Sequence, residues 1–197
     1  MWCADFGRMR IAVISDLHIG ADDFSPTGFG KFLDHLEREH DEIILLGDVF
    51  ECYFPVLPWR ALAEYDRLDR LHRDITHRFR SDKYTILSGN HDMVVRRARG
   101  IPSRTVTRTS PPSAARPRFA SSSGTCGWST GSSAWANDAV VFGHTHVARH
   151  VELRQGGTYV NTGDCVRRRI YASLDLERRE CRLFEFPGRR VTTEQEE

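Results

Sequence analysis

Three short apolar runs, each closing on a polar cluster and each parted from the next by a segment of helical period, constrain this chain more than any other feature. Arg10–Ser15 (RIAVIS), Glu42–Leu46 (EIILL) and Lys83–Ser88 (KYTILS) are rich in aliphatic and β-branched residues and too short for helices, so they read as buried strands. Between Gly28 and His40, Phe29, Phe32, Leu33 and Leu36 form one apolar stripe on a charged helix. From Pro58 to about Phe79, Leu62, Tyr65, Leu68, His72, Ile75 and Phe79 keep the same spacing, so one long helix is expected there. A β-α-β-α-β order implies a largely parallel sheet with right-handed crossovers.

The second half changes character. Val140–Phe142, Thr158–Val160, Ile170–Leu176 and Cys181–Phe186 read as strands joined by short turns, which favours a largely antiparallel sheet. The expected fold class is therefore α/β, a two-sheet sandwich. At 197 residues, 40% hydrophobic and 28% charged, residues 1–197 suit a single domain and not a coiled coil, collagen or a disordered chain. Lys and Arg number 28 against 27 Asp and Glu, so no overall field draws the chain onto nucleic acid. Five cysteines, an odd count without CxxC spacing or a secretory signal, point to reduced thiols and a cytoplasmic location. The longest apolar runs fall far short of the roughly 20 residues that span a bilayer, so no transmembrane segment is expected, while peripheral attachment stays open.

A stretch at about 100–137 stands apart. Residues 100–137 contain 9 Ser, 5 Thr, 5 Ala, 4 Pro, 4 Gly and 4 Arg, and no Leu, His, Lys, Asp or Glu, a composition poor at building a core. One reading is a genuine divergent insert or lid, with Trp128 and Trp135 as anchors for a partner. The other is a stretch translated out of frame from a GC-rich gene, in which the codons of Ser123-Gly124-Thr125 can conceal a Gly-His pair.

The polar clusters are where the chemistry lies, because α/β folds place ligands at the carboxyl ends of their strands. They are Asp16-Leu17-His18, Gly47-Asp48, Gly89-Asn90-His91-Asp92 and, after Val140–Phe142, Gly143-His144-Thr145-His146. Residues two apart in extended chain point the same way, so Asp16 with His18, and His144 with His146, can each reach one ion. Mixed carboxylate, imidazole and amide ligands suit Mn, Fe or Zn. Taken singly, each cluster has a plainer use: a turn cap for Asp16 or Asp48, a left-handed corner for Asn90, a satisfied histidine for His18 or His91. It is their joint order that carries weight.

In that order DxH, GD, GNHD and GHTH resemble the calcineurin-like metallophosphoesterase superfamily. The resemblance implies a two-sheet α/β sandwich of the metallophosphoesterase type and a hydrolase that cleaves a phosphoester or diphosphate with a metal-bound hydroxide between two divalent ions. It implies that Asp16, His18 and His146 hold the first ion, that Asp48 bridges, and that Asn90 and His144 hold the second. His91 is then the catalytic residue outside the metal shell, with Asp92 to orient it. The family's further second-ion histidine has no counterpart, since no histidine occurs between His91 and His144. A second site left incomplete keeps open a catalytically impaired or damaged copy that acts in binding.

DLHIG, GDVFE and the tail Asn161-Thr162-Gly163 are similar to the UDP-2,3-diacylglucosamine hydrolase branch, which implies a small phosphorylated substrate such as a nucleotide-sugar lipid, met at the inner membrane surface. The apolar segment Val49–Trp59 reads first as core and second as a wall for such a substrate. Arg96 and Arg97, in a basic cluster after GNHD, are candidate substrate-binding residues, and Arg167–Arg169 form a second cluster. The same arginines would serve a nuclease, a reading the near-zero net charge disfavours.

Overall fold

The fold is taken from a computed structural model, which describes residues 9–53, 57–87, 89–92, 95, 120–121, 125–128, 139–153 and 157–191. The chain runs β1 (Arg10–Ile14), α1 (Pro26–Glu39), β2 (Glu42–Leu46), α2 (Pro58–Leu71), α3 (Arg73–Thr76), a 3-10 turn at Arg78–Arg80, then β3 (Tyr84–Leu87). Eight strands follow: β4 (Ala120–Ser121), β5 (Thr125–Trp128), β6 (Ala139–Phe142), β7 (Arg149–Glu152), β8 (Thr158–Asn161), β9 (Ile170–Asp175), β10 (Glu180–Glu185) and β11 (Arg189–Arg190).

They form two sheets, with strand orders β11-β10-β9-β1-β2-β3 and β4-β5-β6-β8-β7. In the first, β1, β2 and β3 are parallel, with Val13 opposite Ile44 and Ile44 opposite Thr85, and β9 closes antiparallel on β1. Successive side chains of a strand face opposite sides, and the two sides have different neighbours here. Ala12, Ile14, Ile43 and Leu45 pack with Phe29, Phe32, Leu33 and Leu36 of α1 and with Ala61 and Leu68 of α2. Ile11, Val13, Ile44 and Leu46 point the other way, into a second cluster with Ala139, Val141 and Val160 of the other sheet. Both faces of β1 and β2 are thus covered, which is why these strands read as unbroken apolar runs.

Three differences from the sequence reading have physical causes. The expected helix from Pro58 to Phe79 is broken at His72, which leaves helical geometry (φ −113°, ψ 34°) and packs its ring edge-on against Phe24. The apolar spacing runs on because α3 and the 3-10 turn still bury Ile75 and Phe79. The second half pairs largely antiparallel, as expected, but does not stay in one sheet: β4 to β8 form the second sheet, in which β6 lies parallel to β8, while β9, β10 and β11 extend the first. Part of the Ser- and Thr-rich stretch is also regular, since β4 pairs with β5 and β5 with β6, Cys126 opposite Val141. Ser123, Gly124 and Trp135 lie outside the described residues, so the concealed Gly-His pair and that anchor do too.

Candidate metal centre

The four polar clusters leave the ends of β1, β2, β3 and β6 and converge. The loop after β1 runs beside the loop after β2, with the His18 N–H on the Asp48 carbonyl (3.0 Å), Ile19 N–H on Val49 (2.9 Å) and Glu51 N–H on Ile19 (3.1 Å). This continuation of the parallel ladder sets His18 against Asp48 and Glu51. From the other sheet, the His144 N–H donates to Asp16 Oδ2 at 2.8 Å, tying the loop after β6 to the one after β1.

Asp16, His18 and His146 offer ligand atoms that all lie within 4.8 Å of one another. Asp16 Oδ1 is 4.0 Å from His18 Nε2 and 3.7 Å from His146 Nε2, and the two imidazoles are stacked with centroids 5.3 Å apart. Asp16 Oδ1 and His18 Nε2 are buried with no hydrogen-bond partner. A buried carboxylate oxygen and imidazole nitrogen left unpaired are costly. Facing each other with a third nitrogen nearby, they are accounted for by a cation, and one carboxylate with two imidazoles is a donor set that suits Mn, Fe or Zn. The residues present therefore fit a divalent ion.

Asp48, also buried, accepts the His91 N–H on Oδ1 at 2.9 Å and holds Oδ2 3.6 Å from His144 Nδ1. Asn90, between Gly89 and His91, is exposed. Asp48 and His144 are thus brought together, and Asn90 sits one residue from the Asp48 contact. Arg96 and Arg97 lie outside the described residues.

The reason these side chains converge differs from the strand alternation expected above. Asp16, His18, Asp48, His144 and His146 all adopt left-handed backbone, with φ of 54°, 42°, 51°, 74° and 57°. Among the described residues only Arg169 and Arg179 join them as non-glycine residues at positive φ. That conformation costs on the order of 1–2 kcal/mol for an L-residue and gathers at functional sites. Each pair points inward through a tight left-handed corner just past its strand.

Three side chains to which the sequence reading assigned no role at the site, Glu51, Ser15 and Thr162, complete it. Glu51 Oε2 meets His18 Nδ1 at 2.6 Å and Oε1 meets His91 Nδ1 at 2.9 Å. The carboxylate on the His91 ring is thus Glu51's, where Asp92 was expected. Buried Asp92 instead accepts the Gly89 N–H (2.8 Å) and the Val49 N–H (3.0 Å), bracing the loops after β3 and β2. Ser15 donates to Asp16 Oδ2 and shares a 2.6 Å hydrogen bond with Thr162, whose own N–H reaches the Phe142 carbonyl. The Asn161-Thr162-Gly163 tail therefore steadies the loops that carry Asp16 and His144. Ser15, a hydroxyl ending an apolar strand, and the polar Asn161-Thr162-Gly163 that ends another were the available signals.

The ring of His91 packs edge-on to His18 (4.9 Å) and tilts against Tyr53 (5.0 Å), which is about half exposed. Beside them, burial pushes the Cys52 thiol up to about 12 and raises that of Cys165 further, so neither offers a thiolate nucleophile. At the far rim, Arg167 Nε donates to Asp23 at 2.8 Å and holds that carboxylate below its ordinary range.

Fold and site together define an α/β sandwich that carries, at the carboxyl ends of its strands, an aspartate–histidine cluster able to hold a metal ion. The chain belongs to the calcineurin-like phosphoesterase superfamily, whose domain model matches residues 9–178. Membership makes it a metal-dependent phosphoesterase in that general sense. No curated protein matches the chain. Among solved structures it is similar to a conserved uncharacterized protein from Streptococcus pneumoniae TIGR4, described as a predicted phosphoesterase, at 13% identity, with 93% of each chain covered and a TM-score of 0.44. Among the described residues, no helix is long and apolar enough to cross a membrane.

Proposed function

We propose that this chain hydrolyses a phosphoester or diphosphate of a small molecule, with Asp16, His18 and His146 holding a first divalent ion and Asp48, Asn90 and His144 a second. The observation that carries this reading is the unpartnered pair Asp16 Oδ1 and His18 Nε2, facing each other below His146. Manganese, iron or zinc held there supplies positive charge for the phosphoryl oxygens and lowers the pKa of a water. The chain's own residues do the rest. Asp16 and Asp48 bring the negative charge that retains the ions, and the Ser15 hydroxyl and the His144 N–H keep the Asp16 carboxylate turned. His91, held by Glu51 through Nδ1, keeps Nε2 to give a proton to the departing oxygen. Residues 1–197 act as one unit in this reading, because the two sheets share a core beneath the site.

The narrower substrate reading is a lipid-bearing UDP-sugar cleaved at its diphosphate, at the cytoplasmic face of the inner membrane, with Arg96 and Arg97 on the non-reacting phosphate. DLHIG, GDVFE and Asn161-Thr162-Gly163 support it, and so does the exposed ring of Tyr53 beside His91. The absence of a histidine between His91 and His144 favours a second reading, a single-ion protein that binds without turnover.

One experiment separates them. The manganese-loaded chain is assayed on bis(p-nitrophenyl) phosphate and on a UDP-sugar, beside Asp48→Asn, with the bound ions counted. Hydrolysis that vanishes in Asp48→Asn supports the hydrolase; a folded chain with one tight ion and no turnover on either compound sinks it.

A further inference from the structure

We propose that Arg167 is a substrate-binding residue that meets a second phosphoryl group of the substrate, on the flank of the site opposite the loop after β3. The inference rests on the hydrolase reading above and narrows its substrate class to compounds that carry two phosphoryl groups.

The three arginines at 167–169 point in three directions. Arg168 Nη2 reaches Glu185 of β10 at 3.3 Å, away from the site. The Arg169 guanidinium lies against Gly28 in the first turn of α1, where a Cβ would fall 2.2 Å from its Nη2. Arg167 alone turns to the loop after β1, where its Nε donates to Asp23 Oδ2 at 2.8 Å. Only Nε is engaged, since among the described residues the two Nη groups make no hydrogen bond, and the side chain is 75% exposed. A guanidinium is a rigid fork of five N–H donors, and its paired Nη groups match two oxygens of one phosphate. Asp23 therefore fixes the near edge of the fork and leaves its end open.

Both halves of this ion pair are tied to the first-ion cluster. Two successive turns, with the Ala21 N–H on the His18 carbonyl (2.9 Å) and the Phe24 N–H on the Ala21 carbonyl (3.0 Å), fold Asp23 back toward His18. It comes close enough for the charge of His18 to act on its carboxylate. Arg167 follows two residues after Cys165, a buried thiol close enough to feel the Asp16 carboxylate. The Val166 and Arg167 N–H groups both donate to Asp164 Oδ1, at 2.8 and 3.3 Å, which sets the turn that carries the guanidinium out. That loop begins at Thr162, already bonded to Ser15 beside Asp16. In the strand order β9-β1-β2-β3, the loop after β2 separates the loop after β1 from the one after β3. A phosphoryl group at the cluster thus has His91 on one flank and Arg167 on the other. A second phosphoryl group would add negative charge beside Asp16 and Asp48, and Arg167 is the cation placed to offset it.

Calorimetry on the zinc-loaded protein tests this with UMP and with the α,β-methylene analogue of UDP, which differs by one phosphoryl group and has no hydrolysable bridge. The parent should bind the analogue at least 10-fold more tightly than UMP. Arg167→Ala should weaken the analogue about 10-fold more than it weakens UMP, the effect of losing one charge-assisted pair. Arg167→Lys, which keeps the charge and loses the fork, should recover only part of the preference. Arg168→Ala, the same change in net charge, should bind both compounds as the parent does, and melting curves of each variant report on folding. A parent with no preference for the analogue, or Arg167→Ala with the parent's preference intact, would overturn the proposal. So would an equal loss in Arg168→Ala, which would make the effect a general field. The hydrolase reading fails separately: bis(p-nitrophenyl) phosphate left uncleaved while the preference depends on Arg167 removes that reading and keeps the binding role, whereas turnover without the preference does the reverse.

Discussion

Gly89 lies so tightly on Asp48 that a methyl group there would overlap the Asp48 N and Oδ1 and stand 2.6 Å from its carboxyl carbon. The glycine before Asn90-His91 is thus set by contact with the second cluster, and the glycine before His144 is set alike. A Cβ on Gly143 would fall 2.5 Å from Ser15 Cβ and 2.8 Å from Asp16 Oδ2. Each glycine lets one loop press its backbone on the carboxylate of another.

Gly89→Ala is therefore expected to displace Asp48 and not merely to strain its own loop. Overpacking of this kind costs about 1–3 kcal/mol. Zinc or manganese affinity should fall along with thermal stability. A variant that melts lower but binds ions as the parent does would show that the loop moves and Asp48 does not.

Asp16 predicts a reversal of sign. In the metal-free chain its Oδ1 is a buried acceptor with nothing to accept, while Oδ2 is satisfied by Ser15 and the His144 N–H. An asparagine can keep its oxygen toward those donors and turn its NH2 toward His18 and His146. Chelated Asp16→Asn should melt no lower than the chelated parent, the usual trade between stability and function at a binding site. Excess manganese should raise the melting temperature of the parent and leave the variant where it was, because only an ion bound to the folded state stabilises it. A destabilised apo variant, or one that manganese still stabilises, would contradict this.

The alternation of strand and helix in the first half was legible because burial on both faces leaves β1 and β2 as plain apolar runs, and because α1 and α2 each bury one stripe. The convergence of the clusters was legible for a different reason: polar residues that end apolar strands must share the sheet's edge. Glu51 was hidden within an apolar, aromatic segment, and only the backbone ladder between Ile19 and Phe50 brings it beside His18. The sheet to which β9 belongs was hidden too, since an alternating strand carries no mark of which partner it will take. The break at His72 left no trace in a spacing that simply continues through it.

Glu37 supplies a control at the opposite edge of the sheet. Its carboxylate accepts from Arg78 Nε (2.9 Å) and Nη2 (2.5 Å) and from the Tyr84 hydroxyl (2.5 Å), joining α1 to the 3-10 turn and to the start of β3. The Arg78 guanidinium beside it holds Glu37 below the ordinary carboxylate range. Glu37→Gln should cost about 1–3 kcal/mol of unfolding free energy, as for hydrogen bonds to a charged group. Ion affinity should be untouched, because the metal centre lies past the carboxyl ends of these strands and Glu37 meets β3 at its beginning. Weakened ion binding would show instead that this tie reaches the site.

His40 should make the fold itself acid-sensitive. Its side chain is buried between Leu36, whose carbonyl meets Nδ1 at 3.2 Å, and Ser173, whose hydroxyl meets Nε2 at 2.9 Å. Burial lowers its pKa from 6.5 to about 4, against the opposing pull of the Leu36 carbonyl. Between those two values the unfolded chain takes up a proton that the folded chain does not, so acid favours unfolding. The contribution is complete above pH 6.5 and is lost as the pH falls toward 4, a span worth about 3 kcal/mol at its limit. Urea unfolding of the chelated protein at steps from neutral pH down to about 4.5 should show stability declining with acid. His40→Gln, which removes the titrating ring, should flatten that decline while lowering stability at neutral pH. Parallel curves for the two proteins would place the acid sensitivity elsewhere, with depressed carboxylates such as Glu37, whose contribution is lost only when the pH falls further into their own range.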